Sequence, residues 1–258
     1  MWISIVSLFP EMFETVIKYG LINKSIKKKL LNISFWNPRN YMKNKFNKID
    51  STVYGGGGGV ILKAEPLIET ISKAKLEMKN NVKIIYLSPQ GKKINISYIK
   101  KLLSYNKMIF LCGRYKGIDE RIITNFVDEE VSIGDYILSG GELPAMILID
   151  ILVRQIPGVL NRISSNNTDS FFNNGLLGCP NYTRPRILKN LKENIVPKIL
   201  LSGNHKKIKE WRLQQALGIT WLKRPDLFKK KILTKKEKIL FNKFKNSFLK
   251  KNNVMEYD

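Results

Sequence analysis

The chain has 258 residues, 43% hydrophobic and 26% charged, the composition of a soluble globular protein of one large or two modest domains. No apolar run reaches about 18 residues, so no membrane span is expected. Two cysteines and one histidine argue against a disulfide framework, a His-based metal centre and a Ser-His-Asp triad. The net charge of +24 points to a polyanionic partner, although AT-rich codon usage also produces the excess of 36 lysines over 9 arginines.

In chain order, Trp2–Leu8 is apolar and β-rich and predicts a first strand. Phe9-Pro10 opens a helix with Pro in its first turn and Glu11 and Glu14 at its positive end. This stretch lacks the basic region of a signal peptide, so the expected location is the cytoplasm, with reduced thiols. Leu31–Phe35 alternates as a second strand, and Tyr54–Gly59 is a glycine loop. Ala64–Met78 carries Leu67, Ile68, Ile71, Ala74 and Leu76 at helical spacing. Lys83–Leu87 reads as a short strand, and Ser97–Tyr105 as a helix capped by Ser97. Lys107–Cys112 is a further strand, Asp119–Phe126 a short helix and Glu129–Ile133 a last strand, followed by an apolar helix from Leu143 to about Ile156. The alternation predicts an α/β fold with a mostly parallel sheet.

After Gly158 the character changes. Residues 164–174 read SSNNTDSFFNN, a polar linker, and the domain boundary is placed within 161–174. His205–Ala216 and Lys235–Leu249 read as amphipathic helices, the second with Leu240, Phe241, Phe244 and Phe248 on one face. Residues 187–258 hold 17 Lys, 2 Arg and 6 acids, so the positive charge is concentrated there.

Three strands lead into polar, glycine-bearing loops: Ser88–Gly91 (SPQG), Gly113–Gly117 (GRYKG) and Ser132–Gly141 (SIGDYILSGG). In an open α/β sheet, ligands bind outside the carboxyl ends of the strands, so these loops are expected to converge on one pocket. Glycines between strand and helix let a ligand reach main-chain groups. The third loop fits neither common nucleotide fingerprint, and Val60-Ile61 after Gly55–Gly59 argues against a phosphate-binding NTPase loop.

Taken together and in order, these segments resemble the bacterial tRNA (guanine-N1)-methyltransferases of the SPOUT superfamily. The matching stretches are VSLFPEMF, YGGG, LSPQG, CGRYKGIDER, SIGDYILSGGELPA, RQIPGVL, DSF, GLLGCPNYTRP and WRLQQALGITWLKRPDL, which extend to about Leu227. The pairing of SIGDYILSGGELPA with CGRYKGIDER is the specific part. The resemblance implies S-adenosylmethionine as methyl donor and N1 of the guanosine at tRNA position 37, 3′ of the anticodon, as acceptor. It implies a trefoil knot toward the C-terminal side of the sheet, where pattern alone draws an unknotted doubly wound sheet. The implied organisation is a cofactor-binding and dimerisation domain over 1–160, a linker or lid over 161–174 and a small, mainly helical, basic tRNA-binding domain over 175–258. It also implies an obligate homodimer whose active site lies at the subunit interface.

Carried over residue by residue, the cofactor site comprises Tyr86, Leu87, Ser88, Pro89 and Gly91 from the first loop and Gly113, Tyr115 and Gly117 from the second. The third contributes Ser132, Ile133, Gly134, Asp135, Tyr136, Ile137, Leu138, Gly140, Gly141 and Pro144. Asp169 matches the family's general base for the N1 proton, and Arg154 the residue that holds guanine and offsets charge on O6. Taken alone, Asp169 reads first as a turn cap in a polar loop and Arg154 as an i,i+4 surface pair with Asp150; the match to the family reverses both readings. Arg184, Arg186, Arg212, Lys223 and Arg224 are the candidates for tRNA phosphate contacts.

Two departures from the family pattern stand out. Lys116 stands where an acidic residue connected with magnesium is usual, which counts against a magnesium requirement, and no metal ligand is assigned. Asp50-Ser51-Thr52-Val53 replaces a more charged motif, and Gly59 ends an uninterrupted glycine run expected to be loose. These departures motivate a second reading, a tRNA-binding protein of the same fold with lost or reduced turnover.

Overall fold

A computed structural model describes residues 1–42, 48–79, 81–160, 169–171, 175–189 and 195–253. The chain divides into two compact units, Met1–Asn161 and Arg162–Asp258. Of the linker expected over 161–174, all but 169–171 lies outside the described residues.

The first unit is α/β. Its strands are β1 (Trp2–Val6), β2 (Asn32–Trp36), β3 (Asp50–Thr52), β4 (Val60–Leu62), β5 (Lys83–Lys93), β6 (Lys107–Cys112) and β7 (Glu129–Ser132). Its helices are α1 (Glu14–Lys18), α2 (Gly20–Lys27), α3 (Ala64–Glu77), α4 (Ile96–Leu102), α5 (Glu120–Phe126) and α6 (Glu142–Val153). Five strands form a parallel sheet in the order β2-β1-β6-β5-β7, while β3 and β4 pair as an antiparallel hairpin.

Alternation along the strands fills a core on each face. Met108, Phe110 and Cys112 of β6 pack with Ile22 of α2, Ile99 of α4 and Leu148 and Leu152 of α6. Ile109 and Leu111 point the other way, against Leu67, Ile71 and Ala74 of α3 and Ile122 of α5. Successive side chains of a strand face opposite sides, so a sheet covered on both faces needs a continuous apolar run such as MIFLC. Each fully buried Ile, Leu or Phe contributes about 1.5–3 kcal/mol.

Several local expectations shift. The first helix is a 3-10 turn, Pro10–Phe13, followed by α1 and, after a break at Gly20 (φ 66°), by α2. The cap of α4 is Asn95, whose side chain accepts from the Tyr98 backbone N–H at 2.9 Å, in place of Ser97. Helix α5 is capped by Asp119, which accepts from the Arg121 N–H. The hairpin β3–β4 was not legible, because three-residue strands carry too little alternation to be read.

The largest difference lies in β5, which runs to Lys93 rather than ending at Leu87. Leu87 and Lys92 both register opposite Val131, so Ser88–Gly91 is thrown out of the ladder as a bulge. Bulges occur where a strand must redirect a segment. A Cβ on Gly91 would run into the backbone of Glu130 and Val131, so only glycine fits against β7 there.

The helices of the second unit among the described residues are a 3-10 turn at Lys198–Leu201, α7 (His205–Lys223), α8 (Pro225–Lys230) and α9 (Lys235–Asn253), while residues 175–189 are non-helical. Helix α7 extends a further two turns beyond the expected Ala216. Leu176, Ala216, Leu217 and Leu240 form its small core. No described helix is long and apolar enough to cross a membrane. Gly91→Ala is expected to cost about 2 kcal/mol or more, the range for atoms forced into packed space; a urea melt indistinguishable from the parent would show that β5 and β7 have room to part.

Candidate functional site

A cavity of about 380 Å³ opens in the first unit, in the size range of small-molecule sites. Its wall is built from Ser88–Gln90 of the bulge, the loop after β6 and the loop between β7 and α6. From the bulge and the end of β5 come Tyr86, Leu87, Ser88 and Pro89. From the second loop come Gly113, Tyr115 and Gly117, and from the third Ser132, Ile133, Gly134, Tyr136, Ile137, Leu138, Gly140, Gly141 and Pro144. Two of the expected residues lie elsewhere. Gly91 packs on the β7 backbone, and Asp135 is exposed and pairs with Lys93.

The loops are held by backbone contacts at close range. The Gly141 N–H donates to the Gly113 carbonyl at 2.9 Å. A Cβ on Gly141 would sit 2.8 Å from Cys112 Cα, so the chain entering α6 passes directly against the end of β6. The Ser132 hydroxyl both receives from the Gly134 N–H and donates to the Gly134 carbonyl, which fixes the start of the third loop.

Tyr86 forms part of the floor and is 6% exposed. Its hydroxyl lies where a Cβ on Gly113 or Gly117 would stand, at 2.8 and 3.0 Å. Burial pushes its pKa up to about 12, with repulsion from Glu130 adding to the effect. Tyr115 adopts φ 61°, a left-handed conformation uncommon for a non-glycine residue, and its ring is exposed at the cavity rim. Burial also raises the Cys112 thiol well above its ordinary value, with Glu142 contributing, so Cys112 is a core residue and not a thiolate nucleophile.

Beneath the loops lies a buried ion pair. Arg114 Nε stands 2.9 Å from Glu142 Oε2, and the Glu142 side chain is 1% exposed. Ser7, just after β1, donates to the other carboxylate oxygen at 2.8 Å. The Arg114 guanidinium also lies over the Phe9 ring, 4.6 Å from its centroid. Glu142 opens α6, where the helix dipole favours a negative charge. Arg114 and Glu142 were missed as site residues. The sequence signal was the scarcity of arginine, since 9 residues must serve every guanidinium role in the chain.

Lys116 lines the same cavity and reaches out of it. Its Nζ donates to the Gly57 carbonyl at 2.6 Å, and its N–H donates to the Val60 carbonyl at 3.1 Å. All five glycines from Gly55 to Gly59 have positive φ. The glycine loop expected to be loose is therefore tied to the cavity rim, with the Leu62 N–H donating to the Gly117 carbonyl alongside.

Arg154 caps the C-terminal end of α6, half-buried. Asp169 belongs to the second unit and is half-buried. Its neighbourhood is sewn to α7: the Ser170 hydroxyl accepts from the Gly178 N–H at 2.9 Å, and the Thr220 hydroxyl accepts from the Leu177 N–H at 2.9 Å. Of the expected phosphate contacts, Arg184, Arg186, Arg212 and Lys223 are exposed. Arg224 is exposed but forked onto Asp226, whose carboxyl it holds down at about 2. Among the described residues no three His, Cys, Asp or Glu side chains are grouped to hold a metal ion.

The cavity fits an adenosyl group on its own geometry. Leu87, Ile118, Ile133 and Leu138 offer apolar surface, while Gly113, Gly117, Gly134, Gly140 and Gly141 put main-chain groups on the cavity wall.

Residues 1–230 match the family described as tRNA (Guanine-1)-methyltransferase TrmD. A tRNA (guanine-N(1)-)-methyltransferase of Buchnera aphidicola subsp. Schizaphis graminum (strain Sg) is 53% identical over 244 residues, 95% of this chain and 91% of that protein. The protein of the same description from Blochmanniella pennsylvanica (strain BPEN) is 48% identical over 250 residues, 96% of each chain. The crystal structure of tRNA (m1G37) methyltransferase from Aquifex aeolicus superposes with a TM-score of 0.70 at 33% identity, covering 89% of this chain and 95% of that one.

Two outcomes test the geometry. Glu142→Gln leaves Arg114 buried without its counter-charge and is expected to cost about 3 kcal/mol in denaturant unfolding. The folded state favours the protonated Tyr86 hydroxyl, so that stabilisation is whole below about pH 10 and falls away as pH climbs toward 12. A phenolate absorbance titration is expected to lose a late step in Tyr86→Phe.

Proposed function

Because the chain belongs to the tRNA (guanine-1)-methyltransferase family, we propose that it transfers a methyl group from S-adenosylmethionine to N1 of guanosine at tRNA position 37. The observation that carries the reading is the convergence of three glycine-bearing loops on one cavity, in a chain whose residues 1–230 match the family. The loop residues Tyr86, Leu87, Ser88, Pro89, Gly113, Ile133, Tyr136, Leu138, Gly140 and Gly141 hold the donor. The bound sulfonium supplies an activated methyl group, so the protein's task is alignment and proton removal.

Guanine N1 carries a proton at neutral pH, and its lone pair is not available until that proton leaves. Asp169 accepts it, and the Arg154 guanidinium holds O6 as negative charge gathers there. A loop base can be splayed from its stack into such a pocket, which suits a target beside the anticodon. Arg184, Arg186, Arg212 and Lys223 contact phosphates, and Arg224 joins them on leaving Asp226.

The domain plan follows the same reading: 1–160 binds cofactor and dimerises, 161–174 links, and 175–258 grips tRNA. A homodimer, with the partner subunit's Asp169 serving this chain's pocket, accounts for a base that lies outside the glycine loops. The exposed Leu143 and Ile147, one turn apart on α6, supply apolar area for a partner. The reading includes a trefoil knot, supported by the close backbone passages of Gly141 at Cys112 and Gly91 at Val131.

Labelled S-adenosylmethionine and a tRNA transcript bearing guanosine at positions 36 and 37 test the activity. Methyl transfer to N1 at position 37 is expected; tRNA binding without transfer supports the binding-only reading. Asp169→Ala is expected to keep cofactor affinity and lose at least about 100-fold in turnover, while loss of cofactor binding as well would remove Asp169 from the role of base.

A further inference from the structure

Helix α9 begins at Lys235, past residue 230, where the match to the family ends. Its attachment to α7 is aromatic. Trp221 meets Phe241 and Phe248 edge-on at 5.6 and 6.1 Å, and Phe244 stacks on Phe248. Gly218 of α7 leaves the notch into which the Phe244 ring fits, since a Cβ there would collide with it. This packing fixes the rotation of α9 and turns its lysines outward.

Lys236, Lys243 and Lys250 follow one another at seven-residue intervals and are all exposed. At a rise of 1.5 Å per residue, successive members stand about 10 Å apart along one side of the helix. Lys236 pairs with Glu210 of α7 at 2.7 Å. Lys206 and Lys243 also act on the Glu210 carboxylate. Glu210 is thus an acid on which lysines of both helices, Lys206, Lys236 and Lys243, act. The only acid on described α9, Glu237, is buried, paired with Lys231 and spent in capping Thr234.

We propose that the seam between α7 and α9 is an RNA phosphate-binding ridge, formed by Lys206, Lys236, Lys243 and Lys250, with Glu210 as its internal counter-ion. The proposal rests on the tRNA reading above and adds a surface that includes residues outside the family match. Lysine ammonium groups on a rigid helix neutralise phosphates without reading sequence and release counter-ions on binding. An anionic membrane is the weaker partner, because an interfacial helix needs a free apolar face and that of α9, carrying Leu240, Phe241 and Phe248, is packed on Leu217 and Trp221 of α7.

The test uses the full chain and the same tRNA transcript, with affinity measured across a salt series. The variant Lys206→Gln/Lys243→Gln/Lys250→Gln is expected to bind about tenfold or more weakly at moderate salt, with the log–log salt slope reduced by about 2–3. A comparator with equal charge loss on the first unit, Lys27→Gln/Lys73→Gln/Lys100→Gln, is expected to keep the parent slope. Glu210→Gln frees Lys236 and is expected to tighten binding and steepen the slope by about 1, a change that misfolding does not produce. Acetylation footprinting of the unsubstituted protein is expected to protect Lys243 and Lys250 when tRNA is bound. Parent-like slopes in both ridge variants, or protection by phosphatidylglycerol vesicles and not by tRNA, would overturn the ridge. Methyl transfer with parent-like slopes rejects the ridge alone, whereas absence of both transfer and tRNA binding rejects the reading on which it rests.

Discussion

The buried pair of Arg114 and Glu142 is the constraint on which the cavity depends. It joins the loop after β6 to the first turn of α6, and through Ser7 it reaches the end of β1. A carboxylate removed from water is tolerable only with a counter-charge and hydrogen bonds, and the helix N-terminus adds a favourable dipole. Gly140 sits directly over the pair, where a Cβ would stand 2.5 Å from both Arg114 Nε and Glu142 Oε2. The polar cluster and the glycine above it are one device: the charges set the loops in place, and the missing side chain lets the loops close over them.

The same economy of side chains shapes the rest of the rim. Ser88, Pro89 and Gln90 reach the cavity because β5 slips in register against Val131 and expels four residues from the ladder. Tyr86 fills the floor because Gly113 and Gly117 leave room for its hydroxyl. Lys116 couples the rim to a hairpin whose five glycines offer almost no side chains to hold it. A cavity bounded by main chain suits a flat heterocycle and a cationic sulfonium, because neither needs a charged side chain to bind.

The chemistry divides between the two units accordingly. In the proposed reaction the first unit supplies the cavity and Arg154, and the second supplies Asp169, upstream of a segment tied to α7 where the Leu177 N–H donates to Thr220. Transfer from a sulfonium to nitrogen asks for alignment and a base, with no nucleophile in the protein. The buried, protonated Cys112 is consistent with that. Positive charge is densest in the second unit, where α9 is fastened by aromatic packing and its lysines are left to solvent.

The sequence by itself determined the alternating α/β order, the apolar runs of β1 and β6, the three glycine loops and the family to which they belong. Those features are local: strand and helix periods, caps and contiguous motifs survive in one dimension. Only the tertiary structure decided that β5 continues past its bulge, that Gly91 belongs to the sheet and Asp135 to the surface, and that Arg114, Glu142 and Ser7 meet. Ser7 and Glu142 are 135 residues apart. A single buried charge carries no period, and its partner is chosen by which strand ends the sheet brings together, so no reading of neighbours along the chain could have paired them.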